Sequence, residues 1–131
     1  MYPSQFFYSI FKMSSRARKW YLKKLYPRIT PFSANVQMED GTRLLLHPKY
    51  DYVQREIFLY NGKYTYESHI VQWLKNNLKP GMTMVDVGAH VGYYIGIVSQ
   101  SISKSGHGIF IEPLPELFNQ LSTNIENNHY D

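Results

Sequence analysis

The sequence contains no cysteine. Disulfide bonds, thiolate catalysis, iron–sulfur clusters and cysteine-ligated zinc are therefore excluded. It also has no run of about 18 uninterrupted apolar residues, the length that a membrane-spanning helix needs. Charged residues make up only 18% of the chain and hydrophobic residues 44%, so it can bury a core and does not belong to the disordered classes. Its 131 residues are enough for one compact domain and too few for two.

Acidic residues are missing from the first 38 positions. Seven of the 14 Lys and Arg residues lie there, which gives this segment a charge of +7 and leaves −3 for the rest of the chain. Aromatic side chains are frequent between residues 6 and 32. We therefore interpret residues 1–33 as a basic, aromatic arm with one or two short helices over residues 5–26, ending at Pro27.

The favoured interpretation of this arm is an amphipathic helix that docks its aromatic side on the domain and leaves Lys and Arg in water. Alternatively, the arm binds an anionic membrane surface or nucleic acid, or it is a targeting peptide. Of these, binding to nucleic acid is not expected. A chain without cysteine fits a reducing compartment. We therefore expect a cytoplasmic protein, free or held at the periphery of a membrane through residues 1–33.

Residues 34–81 are predicted to form a hairpin and a helix. Asp40-Gly41 separates two potential strands, residues 35–38 and 42–47, and is a strong hairpin signal. The pattern over residues 51–60 does not decide between helix and strand. A helix is predicted over residues 65–78. Its apolar positions Ile70, Val71, Trp73, Leu74 and Leu78 are assigned to one face, and Lys79-Pro80-Gly81 ends it.

Residues 82–131 have the pattern of a β-α-β-α unit. The order is a strand (82–87), a glycine turn (88–92), a helix (93–103), a second glycine turn (106–108), a strand (109–112) and, after Pro113-Leu114-Pro115, a helix ending near residue 126. The first strand is almost continuously apolar, which is typical of a strand buried on both faces. The predicted fold class is α/β, the start of a Rossmann-like, doubly wound parallel sheet preceded by the arm and the hairpin.

Two carboxylates, Asp86 and Glu112, lie at the carboxyl ends of the two predicted strands, where open α/β sheets bind their ligands. Gly88 and Gly92 let the backbone approach a ligand closely. Glu112 follows Gly92 by 20 residues, where an acid would accept hydrogen bonds from both ribose hydroxyls. This combination indicates a nucleoside site.

The loop sequence also indicates which nucleoside cofactor fits. Asp-Val-Gly-Ala-His-Val-Gly lacks the middle glycine of a dinucleotide fingerprint and has His90 in its place. Asp86 would repel a diphosphate but attract a cation. S-adenosylmethionine carries a sulfonium and an ammonium and no phosphate, so it is the expected cofactor. The other histidines, His47, His69, His107 and His129, show no ligand spacing, and no metal is predicted.

These motifs resemble the FkbM-type family of S-adenosylmethionine-dependent methyltransferases. The resemblance is carried by residues 85–94, by residues 110–115, and by Phe118, Leu121, Asn124 and Asn128. Upstream it includes residues 40–44, 62–67 and 78–81, so that it covers about residues 35–128. It implies O-methylation of a hydroxyl on a sugar, a glycolipid or a secondary metabolite, with a small-molecule, sugar or lipid-linked acceptor.

The resemblance also implies a set of cofactor-binding residues. Those that would line the methionine and the ribose are Asp86, Gly88, Ala89, His90 and Gly92. Glu112 would hold the ribose, Pro113 and Leu114 would flank the adenine, and Glu67 would contact the methionine end.

Catalytic residues are not assigned. His90 has the chemistry of a general base, but its place inside the loop favours a hydrogen-bonding or space-filling role. Tyr93 and Tyr94 open the next helix; one is expected to pack and the other to border the cofactor, and the sequence does not choose between them.

The chain stops at Asp131, after two strands of a sheet that would need about six. We therefore expect either a fragment of a methyltransferase or a half-domain completed by a C-terminal half or a partner chain. The alternative is a non-enzymatic module that binds nucleoside weakly or attaches to a membrane or partner through its arm.

Overall fold

The structure is a computed structural model, and it describes residues 31–130. The helices predicted over residues 5–26 lie outside the described residues. The elements are β1 (Ala34–Gln37), β2 (Arg43–Leu46), α1 (Tyr52–Leu59), α2 (Ser68–Asn77), β3 (Thr83–Val87), α3 (Ile95–Ile102), β4 (His107–Ile111) and α4 (Pro115–Asn127). Between residues 31 and 130, no helix has the length and hydropathy needed to cross a membrane.

β1 and β2 form the antiparallel hairpin, with Ala34 opposite Leu46 and Gln37 opposite Arg43. The Asp40 carboxylate closes the turn, because its Oδ1 accepts a hydrogen bond from the Thr42 amide at 2.9 Å. An aspartate that binds its own backbone two residues on is a common turn device. The hairpin therefore forms around the Asp-Gly pair that the sequence indicates.

Residues 52–59, whose type the sequence leaves open, form helix α1. Asp51 has an extended backbone and caps the helix through a hydrogen bond from the Gln54 amide to its Oδ1, at 2.8 Å. Side-chain capping of this kind satisfies an amide that has no partner within the helix. Ile57 and Leu59 are buried, so the apolar part of this mixed segment faces the core.

Helix α2 is shorter than predicted, and its apolar residues do not all face the core. Val71 and Leu74 are buried, whereas Ile70 is 38% and Trp73 59% exposed. The helix therefore buries only part of the face to which the apolar positions were assigned. The stripe that contains Val71 and Leu74 belongs to the core cluster, and the stripe beside it faces solvent.

β3 and β4 pair in parallel, with Thr83 opposite His107 and Val87 opposite Ile111. Helix α3 connects them and packs against β4. Parallel strands joined by a helix are the basic unit of doubly wound sheets. The described chain is thus a mixed α/β structure compatible with a Rossmann-like fold.

The prediction that the strand ending at Val87 is buried on both faces is wrong. Val85 is 52% and Val87 77% exposed, and their partners Ile109 and Ile111 are also exposed. The alternate position Asp86 is half-buried. Within residues 31–130, the other elements cover one face of this sheet and leave the opposite face exposed to solvent. The apolar run therefore does not correspond to burial on both faces.

Helix α4 holds the hairpin through side-chain amides. The Leu45 amide donates to Asn124 Oδ1 at 2.7 Å, and Asn124 Nδ2 donates back to the Leu45 carbonyl at 3.2 Å. One turn later, the Arg43 amide donates to Asn128 Oδ1 at 2.7 Å and Asn128 Nδ2 to the Arg43 carbonyl. The side chains of Asn124 and Asn128 therefore take the place of a neighbouring strand along β2. They pair with backbone groups that an exposed sheet edge would leave without partners.

A single hydrophobic core joins the hairpin, the helices and the loop after β3. Its most buried members are Leu44, Leu46, Ile57, Val91, Ile95 and Leu121. Because Val91 belongs to this core, the loop is anchored at the position next to His90. The core thus fixes the end of β3 against β4 and α4.

Candidate functional site

The loop after β3 contains three residues with left-handed backbone: Gly88 at φ +84°, His90 at φ +55° and Gly92 at φ +87°. The amides of Gly88 and Ala89 both donate to the Ile111 carbonyl, at 2.8 Å and 3.0 Å. The loop therefore curls over the carboxyl end of β4. This is the edge of a parallel sheet at which ligands bind.

The two glycines of the loop have different surroundings. A Cβ atom at Gly88 would meet no heavy atom within 4 Å, so the backbone here faces open space. A Cβ atom at Gly92 would lie 2.8 Å from Ile95 Cγ2 and 2.9 Å from Leu121 Cδ1. Gly88 is thus available to a ligand, whereas Gly92 is required for close packing. Ala89 is also turned inward, with 4% of its surface exposed.

Glu112 follows β4 and joins the loop to the next turn. Its Oε2 accepts a hydrogen bond from the His90 amide at 2.9 Å, and its Oε1 accepts one from the Leu114 amide at 3.0 Å. Each carboxylate oxygen keeps further acceptor capacity. Pro113 and Leu114 are exposed beside it.

Asp86 contributes a carboxylate oxygen with nothing to satisfy it. Its Oδ2 is buried and has no hydrogen-bond partner among residues 31–130. Burial raises the pKa of Asp86, and the nearby charge of Glu67 raises it further. A buried acceptor without a partner is costly in a folded protein. A cation stabilises a carboxylate whose pKa is raised by burial and by a second carboxylate.

Glu67 lies immediately before α2, with a left-handed backbone at φ +45°. The Tyr94 hydroxyl donates to its Oε2 at 2.6 Å. Burial and the Glu67 carboxylate both raise the pKa of Tyr94, so this hydroxyl stays protonated and donates. Tyr93 is instead buried and donates to the Tyr66 carbonyl at 2.9 Å. Of the two tyrosines, Tyr93 is buried and Tyr94 contacts the Glu67 carboxylate; which of them borders a cofactor stays a prediction.

His90 has a partner that the sequence analysis missed. Its Nε2 lies 2.9 Å from Asp51 Oδ2, and its Nδ1 is buried with no hydrogen-bond partner within residues 31–130. Burial alone would raise the pKa of Asp51, but the hydrogen bonds from His90 and from the Gln54 amide outweigh it and lower the pKa below the ordinary value. An Asp that opens a helix is a capping signal, which could have identified Asp51 had α1 been recognised.

The structure brings most of the predicted residues together. Asp86 and Glu67 interact electrostatically, and the backbone of His90 is bonded to Glu112. Ala89 and Gly92 shape the loop from inside rather than line its open side. Among residues 31–130, no three His, Asp or Glu side chains form a group that could hold a metal ion.

Curated proteins similar to this chain are methyltransferases. The chain is 38% identical over 56 residues to protein-L-isoaspartate O-methyltransferase 1 of Arabidopsis thaliana, covering 43% of this chain and 24% of that protein. It is 27% identical over 81 residues to a protein-L-isoaspartate O-methyltransferase of Methanothrix thermoacetophila, covering 60% of this chain and 39% of that protein. The chain therefore spans well under half the length of these two relatives.

No solved structure matches the chain significantly. A family model, described as the Vibrio cholerae RfbT protein, matches residues 41–130. That range contains β2, the four helices found between residues 31 and 130, the parallel strands and every residue of the candidate site. The chain belongs to the Vibrio cholerae RfbT protein family.

Proposed function

We propose that this chain carries the cofactor-binding half of an S-adenosylmethionine-dependent methyltransferase, of the kind that the FkbM-type resemblance implies. The observation that carries the proposal is the buried, unpartnered Oδ2 of Asp86 beside the open backbone at Gly88. Such an oxygen needs a hydrogen-bond donor or a cation. The ammonium group of S-adenosylmethionine supplies both.

The charge of the site supports a cationic ligand over a phosphate. Asp86 and Glu67 interact closely enough for Glu67 to raise the pKa of Asp86. Placing a diphosphate beside two carboxylates would be repulsive, whereas a ligand with two positive groups would relieve their mutual repulsion. The loop also lacks the middle glycine over which a dinucleotide would place its pyrophosphate.

Glu112 is suited to hold the ribose. Hydrogen bonds from the amides of His90 and Leu114 fix its two oxygens before any ligand arrives. The remaining lone pairs of a fixed carboxylate can accept from two adjacent hydroxyls. Leu114, 55% exposed, and the neighbouring Pro113 offer apolar surface that fits one side of an adenine ring.

The cofactor, when bound, supplies an activated methyl group. The residues of this chain bind and orient it, and positioning accounts for much of the catalysis of such transfers. His90 is a positioning residue and not the base, because Nε2 is taken by Asp51 and Nδ1 is shielded from solvent. The acceptor we propose is a hydroxyl of a sugar, a glycolipid or a secondary metabolite. The base and the acceptor pocket would come from outside the described residues.

Calorimetric titration of the chain with S-adenosylmethionine and, separately, with NAD⁺ tests the proposal. We expect a dissociation constant on the order of micromolar for S-adenosylmethionine and no measurable heat for NAD⁺. Asp86→Asn, which keeps size and removes charge, should weaken binding of the cation at least about tenfold. Equal or tighter binding of NAD⁺ by the folded chain would overturn the assignment.

A further inference from the structure

We propose that Asp51 is a positioning residue of the site, which holds the loop between Gly88 and Gly92 through the imidazole ring of His90. This inference deepens the proposed function and rests on it. Asp51 lies outside every motif of the site and precedes Gly88 by 37 residues. Its contact with His90 connects the start of α1 to the centre of the loop.

The Asp51 carboxylate is fixed by two different elements. Oδ1 accepts the capping hydrogen bond from the Gln54 amide at 2.8 Å, and Oδ2 lies 2.9 Å from His90 Nε2. A carboxylate that uses both oxygens cannot rotate without losing one interaction. Helix α1 therefore acts as a rigid support for the histidine ring.

His90 is the residue of the loop that most needs such support. Its backbone has φ +55°, a conformation that a residue with a side chain adopts at a cost. The surrounding contacts hold it there: the amide is bonded to Glu112 and the ring to Asp51. Its neighbour Val91 is buried in the core. Among the described residues, releasing the ring leaves the amide bond to Glu112 to hold His90.

Loss of the contact between Asp51 and His90 would affect both Glu112 and the backbone at Gly88. If the His90 backbone relaxes, Glu112 loses the amide that orients its Oε2. The open backbone at Gly88, two residues earlier, belongs to the same loop. Asp51 should thus affect cofactor affinity without touching the cofactor. This is the behaviour of a residue that acts through a neighbour, as in the outer partners of catalytic and metal-binding histidines.

A double-mutant cycle tests the inference. Asp51→Ser keeps a good helix cap but is too short to reach His90. His90→Asn removes the ring and retains a residue that adopts left-handed backbone readily. We expect Asp51→Ser to weaken S-adenosylmethionine binding about tenfold in the wild-type background and hardly at all beside His90→Asn. Asp51→Asn keeps the cap through its single oxygen but places an amide nitrogen, a donor, opposite His90 Nε2, so it should restore the affinity only in part.

Amide hydrogen exchange without cofactor gives a second, independent readout. The amides of Gly88, Ala89, His90 and Gly92 all donate hydrogen bonds, so their exchange reports loop opening. Asp51→Ser should speed their exchange about tenfold while the thermal unfolding midpoint falls only slightly, because the helix cap is kept and only the contact with His90 is lost. Unchanged exchange, or additive losses of affinity in the cycle, would overturn the role of Asp51. Failure of the wild-type chain to bind the cofactor, with the exchange result as expected, would instead reject the proposed function alone.

Discussion

The backbone amide of His90 donates a hydrogen bond to Oε2 of Glu112 at 2.9 Å. This bond connects the loop after β3 to the residue that follows β4, across 22 positions of sequence. It means that the open glycine backbone and the carboxylate assigned to the ribose form one unit. The loop and the Glu112 carboxylate are therefore held together by the protein's own contacts.

We expect Asp86 to strengthen cofactor binding and to lower the stability of the cofactor-free chain. Its buried Oδ2 has no hydrogen-bond partner in the described part of the chain, and burial raises the pKa of Asp86. Replacing it by asparagine removes the cost of a desolvated charge, so Asp86→Asn should stabilise the cofactor-free chain by about 1 kcal/mol. Urea unfolding of both proteins measures this difference. A clear loss of stability in Asp86→Asn would show that the carboxylate is satisfied in solution.

Cofactor binding should weaken as the solution is acidified. The pKa of Asp86 lies above its ordinary value of 3.8, and the cation is attracted only by the ionised form. Affinity should thus be full above the raised pKa and fall as pH drops through it, while the fold persists. The stability of the cofactor-free chain should show the opposite trend. It should fall as the pH rises from 3.8 through the raised pKa of Asp86, because ionising this buried carboxyl group is unfavourable.

Titrations at several pH values, with Asp86→Asn as the matched control, check this prediction. The variant should show weak binding with little pH dependence in the same range. Ionisation of Asp51 should not contribute to the pH dependence of binding above pH 3.8. Its pKa is lowered, so its contribution to stability is lost only below that value. The same pH dependence in both proteins would contradict the role of Asp86.

Alanine at the two loop glycines should separate binding from folding. Gly88→Ala places its methyl group in open space, so it should cost about 1 kcal/mol for the left-handed backbone and block the ligand. Gly92→Ala forces contacts under 3 Å with Ile95 and Leu121, and should cost about 2–4 kcal/mol. Thermal unfolding and cofactor titration of both variants measure the two effects. The opposite order of stability losses would contradict the structure.

Asn124 should be essential for stability although it touches no ligand. It is fully buried, and its side chain bonds to Leu45 on β2 and to the Val91 carbonyl in the loop. Asn124→Ala leaves these backbone groups unpaired and should cost about 2–4 kcal/mol. Asn119→Ala, on the exposed side of the same helix, is the control and should change stability little. Equal effects of the two substitutions would show that α4 does not hold the hairpin in this way.

The sequence predicted the parts of the fold that depend on local patterns. Asp40-Gly41 marked the hairpin, and the glycine loop between two apolar runs marked the β-α-β unit. It did not predict the helical state of residues 52–59, where charged and apolar residues alternate without a clear period. The cap at Asp51 decides that segment, and its contact with His90 depends on tertiary structure.

Burial was the property that the sequence predicted least well. An apolar run at residues 82–87 indicated a strand covered on both faces, yet Val85 and Val87 are exposed. Apolar character shows that a residue can be buried, whereas the surrounding elements determine whether it is. The asparagines of α4 show the converse. They belonged to the recognised motif, but their role along β2 became apparent only with the structure.

Calorimetric titration of the chain with S-adenosylmethionine, repeated for Glu112→Ala, measures whether this site binds the cofactor. Glu116→Ala, in the exposed first turn of α4, is the matched control. We predict binding on the order of micromolar for the wild type and the control, and a loss of at least about tenfold for Glu112→Ala. Absence of binding by the folded wild-type chain, or equal binding by Glu112→Ala, would contradict the account.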